Sequence, residues 1–376
     1  MLYHLLNFLI EGNYGYQNPL FRGAVAVLLS FLVVWALGPT VVRMLIKKKC
    51  GDIPDFDHKQ LNELTSHKAN VPTMGGLLIL FAVITAVLLL ADLTVFYIHM
   101  AGLCLVWLAF LGYWDDSIKL TTKGKEGSRD GLKSYQKLLF QIGLGVILGY
   151  FIYTRGQQNY GGEGIETYRI LTVPFFKGDP DSPYLLSFYL FMLMTILVVT
   201  GTSNAVNLTD GMDGLASGCV VMSCVVFMVM SYAVGDERVA RYLQFAHVPQ
   251  AGELAVLCGA LTGACLGFLW YNAAPAQVFM GDTGSLPLGG LLGFVAIVIR
   301  QELLLFIVGG VFVMEAMSVM LQVGYFKMTK GKRLFLIAPI HHHFHLKGWK
   351  ETQVVARFWI LSALFAVIAL ATTKLR

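Results

Sequence analysis

Four groups of polar residues interrupt a chain that otherwise reads as a series of apolar runs. The adjacent carboxylates Asp115 and Asp116 close one such run, with Lys119 four residues beyond the first. Two neighbouring carboxylates raise each other's proton affinity, so they suit a general base or a pair of hard oxygen ligands for Mg2+. On a helix Asp115 and Lys119 also meet as an i,i+4 ion pair, a surface feature of a few tenths of a kcal/mol. That pairing leaves Asp116 without a purpose.

The second group is Asn204, Asn207, Asp210 and Asp213, at steps of three, with Gly211 and Gly214 beside the last two. Such steps drift by about 60° on an α-helix, which predicts a slanting polar stripe rather than a single row. Helix capping accounts for one or two of these side chains, not four. An EF-hand is excluded by the spacing and by the missing terminal glutamate.

The third group runs from Asn272 through Phe279, Gly281, Asp282, Thr283 and Gly284 to Ser285. Glycines and hydroxyls at a helix start, with free backbone N–H groups, predict a phosphate or metal–phosphate site, in which Asp282 is either a cap or a metal ligand. No GxxxxGK[ST] string occurs, so this is not a P-loop. The fourth group is His341, His342 and His343, followed by His345. Neighbouring histidines on a loop rarely converge on one zinc ion, and neither an HExxH motif nor a cysteine partner accompanies them. Hydrogen bonding to a phosphate or nucleotide fits them better. Two features are weaker. Lys68 and Thr73 precede the Gly75-Gly76 helix start, and Glu315 shares a helix face with Ser318 and Gln322, where a structural pairing with another helix is expected.

The elements that must position these groups are set by composition. The 376 residues are 56% hydrophobic and only 14% charged, which marks an all-α, polytopic integral membrane protein. Apolar runs predict ten spans, at roughly 22–46, 74–92, 96–113, 133–154, 184–202, 213–234, 253–270, 284–300, 303–326 and 353–373. No internal repeat or long hydrophilic stretch divides the chain, so residues 1–376 are expected to form a single transmembrane domain. The apolar start, Met1 to Ile10, lacks a basic segment and a cleavage site, and is expected at the membrane interface. The six cysteines show no CxxC pairing and are expected to be reduced packing residues. A net charge of +5 without a basic stripe gives no reason to expect nucleic acid as a partner.

Lysines and arginines concentrate in the loops after spans 1, 3 and 9, which the positive-inside rule assigns to the cytoplasm. Both termini are then extracytoplasmic. Counting spans puts all four polar groups on the cytoplasmic face, so they are expected to converge. Cytoplasmic carboxylates, glycine-rich turns and basic loops at lipid depth suit phosphoryl transfer from a soluble nucleotide-bound donor to a membrane lipid.

The strings Pro72-Thr-Met-Gly-Gly76, Asp115-Asp116, Asn204-Ala-Val-Asn-Leu-Thr-Asp-Gly-Met-Asp-Gly214, Pro275 to Ser285 and Ala338-Pro-Ile-His-His-His343 occur in order along the chain. This series resembles the bacterial phospho-N-acetylmuramoyl-pentapeptide transferases, of the polyprenyl-phosphate N-acetylhexosamine-1-phosphate transferase superfamily. The resemblance implies transfer of phospho-MurNAc-pentapeptide from UDP-MurNAc-pentapeptide to undecaprenyl phosphate, with Mg2+ as cofactor, giving lipid I and UMP. It implies a bacterial inner-membrane homodimer of ten-helix chains with a cytoplasmic cleft. Asp282 then matches the Mg2+ ligand, Asp115 a base or positioning group for the lipid phosphate, and Asp116 and His341 further catalytic residues. Lys68, Thr73, Lys119, Asn204, Asn207, Asp210, Asp213, Asn272, Phe279, Gly281, Gln322, His342 and His343 match substrate-binding positions, with Phe279 stacking on uracil. Val71 and His345 depart from the family pattern, which puts peripheral contacts in doubt. The alternatives are a sister enzyme transferring N-acetylglucosamine phosphate to the same lipid, and an ion-coupled transporter, towards which only Glu315 leans.

Overall fold

The computed structural model describes residues 1–9, 14–48, 68, 71–121, 131–160, 166–176 and 184–373. Among these residues the architecture is helical: α1 Leu2–Leu9, α2 Pro19–Lys47, α3 Gly76–Leu90, α4 Phe96–Thr121, α5 Ser134–Tyr160, α6 Phe188–Thr209 and α7 Leu215–Gly235. Then follow α8 Glu237–Leu243, α9 Leu254–Asn272, α10 Asp282–Val298, α11 Leu305–Val308, α12 Gly310–Met328, α13 Ile340–Leu346 and α14 Glu351–Thr372. One isolated antiparallel bridge, Ile170 with Leu185, lies between α5 and α6. Among the described residues eight helices are long and apolar enough to cross a membrane, and α3 and α10 are shorter apolar helices. The ten expected spans are all represented.

Two boundaries differ from expectation in ways that bear on the site. The third run does not stop near residue 113: α4 continues to Thr121 and carries Asp115, Asp116 and Lys119 on helical turns. The ninth run is broken at Gly309 into α11 and α12, because a Gly309-Gly310 pair offers little intrinsic resistance to leaving the helix.

Helix α10 is the axis of the bundle. All of its residues from Asp282 to Val298 are buried, and it packs between α4 and α6. Small residues allow this approach. A Cβ on Gly290 would lie 2.0 Å from Leu108 of α4, and one on Gly289 would lie 2.3 Å from the Thr202 carbonyl of α6. A second seam joins α9 to α2, where Gly259, Gly263 and Gly267 present one face at steps of four. A Cβ at Gly263 would lie 1.9 Å from the Val27 carbonyl. This is the small-residue packing that lets helices associate where no hydrophobic gain drives them.

The 17 residues of α10 span only about 26 Å at 1.5 Å per residue, less than the roughly 30 Å hydrocarbon thickness, whereas α4 has 26 residues. Asp116 of α4 meets the polar N-terminus of α10, and α4 runs on to Thr121, so that N-terminus is recessed beside the end of α4. Polar groups are tolerated there because protein, not lipid, surrounds them. The far end is closed by Arg22, whose guanidinium pairs with Glu253 and also donates to the Leu90 carbonyl at 3.0 Å. Glu253 in turn accepts from Asp92 N–H at 2.9 Å, so α2, α3 and the start of α9 are tied together. The apolar α1 buries no residue, and the five cysteines among the described residues are free and buried.

Candidate active site

The last turns of α4 meet the first turn of α10. Asp115, Asp116 and Asp282 are all buried, and each has a carboxylate oxygen within 4.8 Å of the others. Asp115 Oδ1 accepts from the Leu132 N–H at 2.7 Å, while its Oδ2 lies 2.7 Å from both Lys119 Nζ and Lys137 Nζ. The same ammonium groups reach Asp282, Lys137 at 2.7 Å and Lys119 at 3.3 Å. The expected Asp115–Lys119 pair therefore exists, but as one edge of a network in which two lysines bridge two aspartates.

Asp116 does something different. Its Oδ1 accepts from Asp282 N–H at 3.2 Å, and its Oδ2 accepts from Thr283 N–H at 2.9 Å and from Thr283 Oγ1 at 2.6 Å. The residue preceding α10 is Gly281, which has no side chain with which to cap the helix. Asp116 reaches across from α4 and supplies the cap, where a negative charge is also favoured by the helix dipole. This corrects the reading of the Asp282–Ser285 turn as a row of free N–H groups awaiting a phosphate. Gly284 N–H and Ser285 N–H turn back to the Gly281 carbonyl, both at 3.1 Å. Gly281 itself has φ +73°, and a Cβ there would lie 2.7 Å from Asp116 Oδ2 and 2.9 Å from Thr73 Oγ1. Thr73 is thereby brought to the edge of the carboxylates.

The polar stripe is divided among four neighbours. Asn204 and Asn207 are on α6, Asp210 follows its last residue, and Asp213 lies in the turn before α7. Asn204 Nδ2 donates to Gln141 Oε1 on α5 at 2.7 Å, and Asn207 Oδ1 accepts from Ser285 Oγ on α10 at 2.8 Å. Burial, with Asp282 and Asp116 near it, pushes the Asp210 carboxyl up to about 7, against the opposing pull of the Gly281 N–H. Asp213 pairs with Lys68, and its Oδ2 accepts from Ala276 N–H at 3.0 Å. Lys68 also pairs with Glu351, the first residue of α14, whose Oε1 accepts from Asp213 N–H at 2.9 Å. The stripe stitches the end of the bundle together.

Asn272 belongs to the same stitching. Its Nδ2 donates to the Val278 carbonyl at 2.9 Å and its Oδ1 accepts from Gly214 N–H at 3.0 Å. The loop it braces presents Phe279, half-buried, with Lys68 Nζ 5.8 Å from its ring centroid.

The histidines occupy a short helix, α13, instead of the expected loop. Successive helical residues turn by about 100°, so the three rings cannot share one direction. His341 and His342 are buried with ring centroids 4.1 Å apart. His341 Nδ1 lies 3.0 Å from Glu315 Oε2, the cross-helix pairing expected for that glutamate. A Cβ on Gly211 would lie 2.4 Å from His341 Nε2 and 3.2 Å from His342 Nε2, so both rings abut the Asp210–Gly211 turn. Burial, with His341, His345 and Lys68 nearby, holds His342 down at about 2, which makes it a neutral imidazole. His343 instead accepts from Leu336 N–H through Nδ1 at 3.1 Å. Gln322 braces the adjoining turn, its Oε1 accepting from Phe335 N–H at 2.8 Å and Leu334 N–H at 3.0 Å.

Three contributors were not singled out by sequence. Lys137 stands one turn inside an apolar helix, where an unexplained lysine is itself a signal. Glu351 reads as an ordinary acidic residue in a first helical turn. Thr283 was visible only as part of the glycine-rich turn.

The donor set suits a hard cation. Mg2+ binds oxygens octahedrally at about 2.1 Å, so neighbouring oxygens stand about 3.0 Å apart and opposite ones about 4.2 Å; at least two of the three separations in a trio are of the shorter kind, so a group within 4.8 Å closes by up to about 1.8 Å around the ion. Three carboxylates and two ammonium groups carry a formal charge of −1, which also favours a cation. These buried aspartates could hold a metal ion.

The model of glycosyl transferase family 4 matches residues 98–300, which include Asp115, Asp116, Asp282 and the whole polar stripe. A phospho-N-acetylmuramoyl-pentapeptide-transferase of Desulfotalea psychrophila is 46% identical over 380 residues, covering 100% of both chains. The chain belongs to this family. Relatives of the same name from Desulfosudis oleivorans, 45% identical over 100% of both chains, and Nitratidesulfovibrio vulgaris, 46% identical over 95% of this chain and 94% of the relative, agree. It is a multi-pass membrane phosphoglycosyl transferase of peptidoglycan biosynthesis.

Proposed function

We propose that the protein transfers phospho-MurNAc-pentapeptide from its UDP-linked donor to undecaprenyl phosphate, releasing UMP and forming lipid I on the cytoplasmic face of a bacterial inner membrane. The observation that carries this reading is the buried Asp115–Asp116–Asp282 group with its two bridging lysines, at the recessed end of α10. Phosphoryl transfer asks for alignment and charge neutralisation more than for a special nucleophile, and this cluster supplies both.

An oxygen of the lipid phosphate attacks the donor phosphorus that bears the sugar. A new P–O bond forms as the bond to the UMP oxygen breaks, and UMP leaves with the electron pair. Direct attack fits the engagement of the carboxylates. Asp116 already accepts three hydrogen bonds, and Asp115 is held by Leu132 N–H and two ammonium groups, so neither is free to act as a nucleophile. Asp115 instead orients the incoming phosphate. Lys119 and Lys137 balance the growing negative charge. Asp282 would hold Mg2+ with help from Asp115, and the ion would stabilise the leaving UMP oxygens. Phe279, beside Lys68, Thr73 and the Asp210–Asp213 turn, offers a face for the uracil. Asn204, Asn272, Gln322 and His343 serve the substrate indirectly, by holding the walls of the cleft. The homodimer belongs to the same reading and rests on the family likeness.

The test is UMP release by purified protein with undecaprenyl phosphate and Mg2+, comparing UDP-MurNAc-pentapeptide with UDP-GlcNAc. Release from the first donor alone is expected. Release only from the second would reassign the enzyme to the sister activity, and release from neither would overturn the reading.

A further inference from the structure

Glu351 is built into the wall of the cleft, yet the reaction as argued above gives its carboxylate no duty. It is the first residue of α14, where the helix dipole favours a negative charge. A single oxygen, Oε1, takes two donors: it accepts from Asp213 N–H at 2.9 Å and also from the Lys68 ammonium. Eight residues on, Trp359 Nε1–H donates to the Gly214 carbonyl at 3.2 Å, so α14 grips the Asp213–Gly214 turn at both ends. A Cβ on Gly218 of α7 would lie 2.1 Å from the same indole nitrogen, which shows how tightly α14 is seated there.

Two routes lead from this grip to Phe279. The first runs through Lys68, whose carbonyl accepts from Val71 N–H at 3.0 Å; the adjoining Pro72 carbonyl accepts from Phe279 N–H at 2.8 Å. The second starts at Asp213, whose Oδ2 accepts from Ala276 N–H at 3.0 Å, three residues before Phe279. The Lys68 ammonium joins the routes, since it pairs with Asp213 Oδ1 and stands 5.8 Å from the Phe279 ring centroid. Neither route passes through Asp115, Asp116 or Asp282, which the Asp116 cap and the bridging lysines hold separately.

We propose that Glu351 is a positioning residue for the nucleotide end of the donor: it fixes Lys68 and the Asp213 turn in one arrangement, and through them the Phe279 ring that stacks on the base. The proposal rests on Phe279 being the base-stacking face, as in the functional reading above. The bond that breaks in transfer lies beyond the ribose, so contact with the base is alike before and during the reaction. Loosening such a contact raises the donor KM and leaves kcat alone.

The test is steady-state turnover of the full-length protein in detergent micelles, with each substrate varied in turn. Glu351→Leu removes the shared acceptor but leaves Lys68 its Asp213 partner, so no buried cation is stranded. It should raise the donor KM and the inhibition constant of UMP about tenfold, part of the value of a base-stacking contact, with kcat and the KM for undecaprenyl phosphate within about twofold of wild type. Glu351→Gln should bring the donor KM back to within about twofold, because the one oxygen that both donors use is kept as an amide carbonyl. A clip that only stabilises the fold would lower the unfolding midpoint of Glu351→Leu and leave the donor KM unchanged, and that result overturns the proposal. So does an equal rise in both KM values, or a Glu351→Gln variant as impaired as Glu351→Leu. If Glu351→Leu does not fold, Glu351→Asp carries the test: its carboxylate falls about 1.5 Å short of the two donors, so the donor KM should rise, and an unchanged value overturns the proposal. A wild type that releases no UMP from either donor removes the functional reading and this proposal with it, whereas UMP release with the donor KM unmoved in the variants removes the proposal alone.

Discussion

Asp116→Ala separates a chemical carboxylate from an architectural one. In the wild type, Asp116 satisfies three donors at the start of α10: the N–H groups of Asp282 and Thr283 and the Thr283 hydroxyl. Alanine leaves all three facing a buried space, since Asp116 is 3% exposed, Asp282 8% and Thr283 0%. An unsatisfied buried donor costs about 1–3 kcal/mol, and water that follows the deleted carboxylate brings each nearer the lower figure, so the variant should lose about 3 kcal/mol. Asn is the informative companion. Its single carbonyl oxygen can serve the Thr283 groups, but its amide N–H2 must then face Asp282 N–H, so Asp116→Asn should lose about 1 kcal/mol, one donor's share. Thermal and denaturant unfolding in detergent micelles, without substrate or Mg2+, measures both. Turnover is expected to fall in both because α10 carries Asp282. If Asp116→Ala unfolds at the wild-type midpoint while losing turnover, the capping account is wrong and Asp116 acts on the substrate or the metal directly.

Three further outcomes follow from the same geometry. Asp282→Asn should fold but lose Mg2+-dependent UMP release, and Mg2+ should raise the unfolding midpoint of the wild type and not of the variant; near-normal turnover would remove Asp282 from the metal role. Lys68→Met leaves Asp213 and Glu351 as partly buried carboxylates without their shared cation, and should cost about 3–5 kcal/mol in denaturant unfolding. A smaller loss in Lys68→Met with an intact donor KM would show that the clip is dispensable. Asp210 has its folded pKa raised from 3.8 to about 7, so the folded state holds a proton that the unfolded chain has released between those values. Its contribution to stability is therefore fully present below pH 3.8 and is lost as pH rises through 7. Asp210→Asn should remove that downward slope from the midpoint-against-pH curve, and an unchanged curve would contradict the assignment.

The spans were legible because lipid leaves the chain few choices. A backbone without water to bond must satisfy itself within a helix or a closed barrel, and runs of about twenty apolar residues select the helix and its core but not its ends: α4 continues to Thr121 and α6 to Thr209, past the apolar runs that announce them. The convergence of the four polar groups was legible for a related reason, since counting spans assigns each helix end to one side or the other. What each side chain does at that end was not legible. The spacing of Asn204, Asn207, Asp210 and Asp213 predicts one stripe, but each of the four turns to a different neighbour, and those neighbours lie 63 residues away at Gln141 and 145 away at Lys68 for the first and last. The turn at Gly281 shows the limit most plainly. Its glycine, hydroxyls and helix start are the local signature of an anion site, and the structure does place an anion there: the carboxylate of Asp116, 166 residues earlier in the chain. Local sequence can state that a helix start needs negative charge. It cannot state whether a ligand or a distant part of the same protein provides it, because both satisfy the same N–H groups. In this chain the internal answer has a functional consequence: by capping α10 from α4, Asp116 fixes the distance between the helix that carries Asp115 and the one that carries Asp282, and so sets the spacing of the two carboxylates that Lys119 and Lys137 bridge.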